Sequence, residues 1–140
     1  EFKPDETITQ KDFLILLSKT LNYYYQPYAS DNDEQTDNLY AYLKRSGIIK
    51  DGEKAPNAMV TKEDMVKFII RAMKADKIAD IKGIYICDFM DADKINPDLL
   101  GYVAIAKGMN IVSGFDGYFN PKAEMTRAEA AVVIYNYLQK

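Results

Sequence analysis

The chain has 140 residues, 48% apolar and 28% charged, with a net charge of −3 from 18 basic and 21 acidic side chains; this suits one folded domain with a sizeable core. Histidine is absent and Cys87 is the single cysteine, which excludes Ser-His-Asp and Cys-His catalysis, imidazole metal sites, an internal disulfide and a thiolate zinc cage. The slightly acidic balance gives no general attraction to nucleic acid, and no stretch is apolar for long enough to span a membrane, so neither is an expected partner.

No signal-peptide pattern opens the chain, and Glu1-Phe2-Lys3-Pro4-Asp5 reads as the interior of a longer polypeptide or a mature segment. Thr9 is then a helix N-cap, with Asp12 at the third helical position. Phe13, Leu16, Leu17 and Leu21 follow at helical spacing. The tyrosine-rich run at 23–28 and the polar run at 31–36 read as a long linker. A helix is expected over 37–46, with Leu39, Tyr42 and Leu43 apolar and Gly47 as its left-handed stop. Ile48-Ile49 and a polar turn lead to Pro56 and to a second cap, Thr61, with Asp64 behind it. Met65, Phe68, Ile69 and Met73 mark that helix.

Residues 79–93 read as another linker, and the periodicity leaves open whether 84–89 is extended or helical. Cys87, in the apolar run Ile84-Tyr85-Ile86-Cys87, reads as a small buried hydrophobe. Asp91-x-Asp93 and Asp31-x-Asp33 begin like calcium loops but lack glycine at the sixth and glutamate at the twelfth position, so no metal or other cofactor is expected. A helix over 97–107 carries Leu100, Val103, Ala104 and Ala106 and ends at Gly108, read as a left-handed stop. After Met109-Asn110-Ile111-Val112 and a glycine-containing loop, Thr126 and Glu129 form the third cap. Ala130, Val133, Ile134 and Leu138 follow it.

The chain therefore repeats itself. Phe2-Lys3-Pro4 through Asp12 aligns without a gap with Phe119-Asn120-Pro121 through Glu129, 117 residues later. Pro56 through Asp64 aligns with the first copy at an offset of 52 and with the last at 65. Each copy has proline, an apolar residue, Thr-x-x-acid and an amphipathic helix. The proline holds its neighbour out of helix, and the acid complements the positive helix start. Copies two and three have a leading helix and copy one does not. From glycine to capping threonine is 14 residues in copy two and 18 in copy three. The units are residues 1–30, 31–78 and 79–140, in a mainly helical domain with little or no strand.

The third copy resembles the S-layer homology (SLH) domain. The resemblance rests on Asp91-Ala92-Asp93-Lys94-Ile95, Gly101-Tyr102-Val103 with the helix to Gly108, Gly114-Phe115-Asp116-Gly117-Tyr118-Phe119-Asn120-Pro121 and Met125-Thr126-Arg127-Ala128-Glu129. It implies an all-α, pseudo-threefold arrangement of tandem helix-loop-helix repeats. It also implies a secreted, non-catalytic module that holds a bacterial surface protein to the cell wall without a covalent bond. The usual ligand of the family is a secondary cell wall polysaccharide, often pyruvylated, seated in grooves between repeats. The arginine of the family's Thr-Arg-Ala-Glu motif is a principal contact, which makes Arg127 the first candidate. Lys62 stands at its place in the middle copy and Gln10 in the first. Lysine lacks the planar fork that grips a carboxylate with two bonds, and the tryptophan common in the family is absent.

The chemistry fits an anionic sugar. Arg127 stands at a helix start whose backbone N–H groups favour an anion. Gly114 and the Asp116-Gly117 turn permit close backbone approach. Phe115, Tyr118 and Tyr102 suit a sugar face, and Glu129 can hold the helix start or the arginine. The bland readings are that Thr126 and Glu129 are caps, Phe119 (and Phe2, its repeat) a core anchor, and Lys62 a surface charge. No acid stands in an apolar setting of the kind sugar hydrolysis uses. The alternative role is a structural or protein-interaction module with degenerate glycan sites. In that role the missing leading helix leaves an apolar face on the first unit for an adjoining segment or a second copy.

Overall fold

The computed structural model describes residues 3–25 and 32–140. Six helices carry the fold: α1 (Gln10–Lys19), α2 (Asn32–Arg45), α3 (Lys62–Ala72), α4 (Asp76–Ala79), α5 (Leu100–Gly108) and α6 (Arg127–Leu138). Two single 3-10 turns, Ala92–Lys94 and Pro97–Leu99, precede α5. Among the described residues the only extended pairings are isolated bridges. The domain is all-α, as the periodicity predicts.

Each capping threonine has extended backbone, and its hydroxyl accepts from the amide of Asp12, Asp64 or Glu129 at 3.1, 3.4 and 3.1 Å. A full capping box closes only at Thr126, where the Glu129 carboxylate accepts the Thr126 N–H at 3.0 Å. The shorter carboxylates of Asp12 and Asp64 are engaged elsewhere, with Arg127 and Lys67. The reach-back expected of them is not made.

The three cap segments hold one another in a closed ring. Ile8 donates its N–H to Met125, Met125 to Val60, and Val60 to Ile8, at 2.9, 3.0 and 3.1 Å. A second set joins each helix start to the segment ahead of another cap: Gln10 to Ala58, Lys62 to Ala123 and Arg127 to Glu6. A third joins Lys11 to Pro56, Glu63 to Pro121 and Ala128 to Pro4. A helix start has orphan amides that must find acceptors. Here the first two come from neighbouring segments and the third from the threonine, so the ring is also the capping system. Ile8, Val60 and Met125 are buried at its centre, beside the buried Phe13, Met65 and Ala130 one turn into the helices. Burial of each large side chain contributes about 1.5–3 kcal/mol.

Around this centre α1 packs on α2 and α6, and α3 on α5. The sequence expectations need several corrections. The helix expected over 37–46 begins at Asn32. Asp33 and Glu34 in its first turn complement the helix dipole, so the polar run assigned to a linker is partly helix. The Tyr23 ring stacks on Tyr42 at 4.3 Å and ties the exit of α1 to α2. The rest of that tyrosine run, the Asp31 end of the second calcium-like run, and Phe2 lie outside the described residues. Gly108 ends α5 in helical conformation, and the left-handed residue is Asn110 (φ 60°), the counterpart of Gly47 (φ 77°). Counted from these, the loops to the capping threonines are 14 and 16 residues, so the middle one is shorter by two, not four.

Residues 84–89 form neither helix nor strand. They alternate instead: Ile84 and Ile86 are exposed, Tyr85 and Cys87 half-buried. Cys87 is thus less enclosed than its apolar run suggests; its Sγ lies 3.7 Å from the Leu100 carbonyl oxygen, and burial raises its pKa.

Candidate functional site

The residues following the three capping threonines have three different uses. Gln10 is buried. Its Nε2 donates to the Glu53 carbonyl at 2.9 Å, and its Oε1 accepts from the Ala55 amide and the Tyr40 hydroxyl at 2.8 and 2.7 Å. Lys62 reaches the third copy's loop, donating from Nζ to the Ser113 carbonyl at 2.7 Å and lying 4.5 Å from the Phe119 ring centre. Arg127 is half-buried, and its Nη2 is 3.0 Å from Asp12 Oδ2.

The helix start at Arg127 is not a vacant anion seat. Its amides are taken by Glu6, Pro4 and Thr126. The expectation of free amides beside the guanidinium fails because the ring of cap segments uses them.

A cavity of about 350 Å³ instead opens beside Lys62. Lys62, Ser113, Gly114 and Phe115 line it together with Glu129, Val132 and Asn136 of α6. It brings together Lys62, Gly114, Phe115 and Glu129 from positions up to 67 residues apart. Arg127, Asp116 and Tyr118 do not line it, and Tyr102 stands at another cavity. Burial lowers the Lys62 pKa, while the charges of Glu129 and Asp91 raise it in opposition. Lys62 forms no ion pair among the described residues. A partly desolvated ammonium with a single carbonyl partner suits an anionic ligand oxygen.

The loop is held rigidly. Phe115 and Tyr118 exchange backbone hydrogen bonds at 2.9 Å, and Asp116 (φ 51°) and Gly117 (φ 86°) make the turn between them. Two successive left-handed residues are the hallmark of a tight primed hairpin. Phe115 is thereby displayed at 76% exposure. Gly114 is required by the protein itself, since a Cβ there would lie 2.6 Å from the Phe89 ring and from the Tyr118 carbonyl oxygen. The buried Asp91 carboxylate accepts the amides of Phe119 and Asn120 at 2.9 and 2.8 Å. Burial raises its pKa, but these amides and the charge of Lys62 outweigh that, and the net direction is down. Asp91 fastens the loop to the core, which accounts for the calcium-like run. Phe119 is fully buried, the core anchor that its repeat suggests.

A second cavity of similar size lies between α3 and α5, and sequence reasoning missed it. Arg71 is buried there. Its Nη1 and Nη2 meet the two oxygens of Glu53 at 2.6 and 3.1 Å, and Nη1 also donates to the Ile48 carbonyl. Lys67 Nζ stands 3.3 Å from Glu53. Burial pushes the Glu53 carboxyl up, but Arg71, the Lys50 amide and Lys67 bring it down to about 2. Tyr102 donates to Asp80 at 2.7 Å; burial and that carboxylate push its pKa up to about 12. The available signal was a charged residue, Arg71, closing the apolar run Phe68-Ile69-Ile70. Asp64, Lys67 and Arg71 are the counterparts of Glu129, Val132 and Asn136, so the two cavities occupy matching places. Among the described residues there is no group of three or more side chains suited to hold a metal, and no helix is long and apolar enough to cross a membrane.

The whole chain is 31% identical to part of an amylopullulanase of Thermoanaerobacterium thermosulfurigenes and 30% identical to part of the exoglucanase XynX of Acetivibrio thermocellus. Over 99% of its length it is 26% identical to part of an endoglucanase of a Bacillus species. It spans only 8%, 14% and 16% of those proteins. Residues 88–131 match the family described as the S-layer homology domain, a family of cell-surface anchoring modules, and the chain belongs to that family.

Proposed function

We propose that this chain is a non-catalytic module that holds a surface protein to secondary cell wall polysaccharide outside the cell, and that the cleft beside Lys62 takes an acidic, pyruvate-bearing sugar. The carrying observation is the convergence of Lys62, Gly114, Phe115 and Glu129 on one cavity. Lys62 supplies the charge for a carboxylate. Phe115 offers an apolar face to a sugar ring, and the Ser113-Gly114 backbone brings the chain close to it. Arg127, committed to Asp12, acts at the seam between the first and third units. The cyclic hydrogen bonding supports a pseudo-threefold arrangement of units 1–30, 31–78 and 79–140.

The relatives are named for action on glucans, and the chain spans a small share of each, which fits an appended binding module. Co-sedimentation of the purified chain with walls of its source organism tests the proposal. It sediments with walls that retain their polysaccharide and stays in solution once the polysaccharide is extracted. Equal sedimentation with both preparations counts against it.

One observation favours the other reading, a protein-interaction module: Ile84, Ile86, Met90 and Phe115 are exposed. Under that reading wall binding is absent and a protein partner covers these residues.

A further inference from the structure

Val132, Tyr135 and Leu138 project from α6 at 59%, 63% and 56% exposure. Their counterparts in α3 are Lys67, Ile70 and Met73, and in α1 Ile15, Ser18 and Leu21. Ile70 and Ser18 are fully buried, and Ile15, Leu21 and Met73 pack against the core. The same face of the same element is therefore covered twice and bare once. The difference lies in the neighbour. Helix α1 packs on α2, the leading helix of the second unit, and α3 packs on α5, that of the third. Leu99 and Tyr102, at the start of α5, wall the α3 cavity, and no such residues wall the cavity of α6.

We propose that this face of α6 is the docking site for an amphipathic helix of the α2 and α5 kind, entering from the N-terminal side of Glu1. Around the ring, α6 is followed by the first unit, because Arg127 and Ala128 donate to Glu6 and Pro4. The helix that belongs there is the leading helix of that unit. In units two and three the left-handed residue after this helix stands 9 and 11 residues before the conserved-position proline, Pro56 or Pro121. The first unit's proline is Pro4, so the same spacing puts the helix upstream of Glu1. Three apolar side chains on one helical face, in continuity with two existing helix pairs, call for an apolar helical partner.

The test places one thiol on this face, Tyr135→Cys in a Cys87→Ala background, and follows its reaction with a maleimide. Two extended proteins carry residues 33–52 or residues 92–117 of this chain fused directly before Glu1, which preserves the repeat offsets of 52 and 117 residues. The expected result is labelling roughly tenfold or more slower in at least one extended protein, independent of protein concentration. Equal rates in the parent and both extended proteins overturn the proposal, whether or not the added residues become helical. Protection already present in the parent and growing with its concentration also overturns it, because a second copy then covers the face.

Discussion

Arg127 Nη2 meets Asp12 Oδ2 at 3.0 Å, joining the last helix of the chain to the first across 115 residues of sequence. The pair sits beside the hydrogen bonds from Arg127 to Glu6 and from Ala128 to Pro4. Both side chains are about one-third exposed, so water screens the pair. A double-mutant cycle with Arg127→Ala and Asp12→Ala, read by urea unfolding, gives a coupling of about 0.3–1 kcal/mol. Wall sedimentation of Arg127→Ala falls less than that of a Lys62 variant, because Arg127 does not line the cavity.

Glu53 gives the fold a defined acid limit. Its carboxyl titrates at about 2 in the folded chain and at 4.5 in the reference state. A depressed carboxyl contributes stability that is complete above the unfolded pKa and is lost as pH falls from 4.5 toward 2. Allowing for partial exposure, that contribution is about 1–2 kcal/mol. Unfolding of Glu53→Gln and the parent from pH 7 to pH 2.5 checks it: the gap between them narrows by that amount. At neutral pH the variant is less stable by about 2–3 kcal/mol, since Arg71 is left buried without its carboxylate.

Gly114→Ala tests the loop's dependence on close packing. The new methyl would sit 2.6 Å from both the Phe89 ring and the Tyr118 carbonyl oxygen. Overpacking of this kind costs about 1–3 kcal/mol. Thermal unfolding reads that loss. Wall binding falls with it, because Ser113 and Phe115 flank the moved residue.

Thr126→Ala removes a hydroxyl cap and half of the single closed capping box. A loss of about 1 kcal/mol is expected, and Thr61→Ala, whose cap bond is longer at 3.4 Å, loses less. Chemical denaturation of the two variants side by side gives the order.

Local rules made much of the fold readable. Thr9, Thr61 and Thr126 announce their helices because cap chemistry is confined to four residues, and the apolar spacing behind each fixes which face is buried. The closed ring was not legible, since no short-range pattern states which carbonyl an orphan amide will find. That omission misdirected the site, because Arg127 reads as a guanidinium beside free amides until Glu6 and Pro4 take them. Lys62 looked like a surface charge because its carbonyl partner, Ser113, lies 51 residues away. Arg71 and Glu53, 18 residues apart, pair only once α3 folds back on its own loop. Asn110 replaced Gly108 as the left-handed stop because asparagine also tolerates that conformation.

Lys62 carries the decisive measurement. Co-sedimentation with polysaccharide-bearing walls is compared for the parent, Lys62→Met and Lys62→Arg, with thermal unfolding run on each. A cleft that uses this ammonium to hold an anionic glycan predicts at least about a tenfold loss of binding for Lys62→Met, partial retention for Lys62→Arg, and little change in melting temperature. Undiminished binding by a folded Lys62→Met would contradict it.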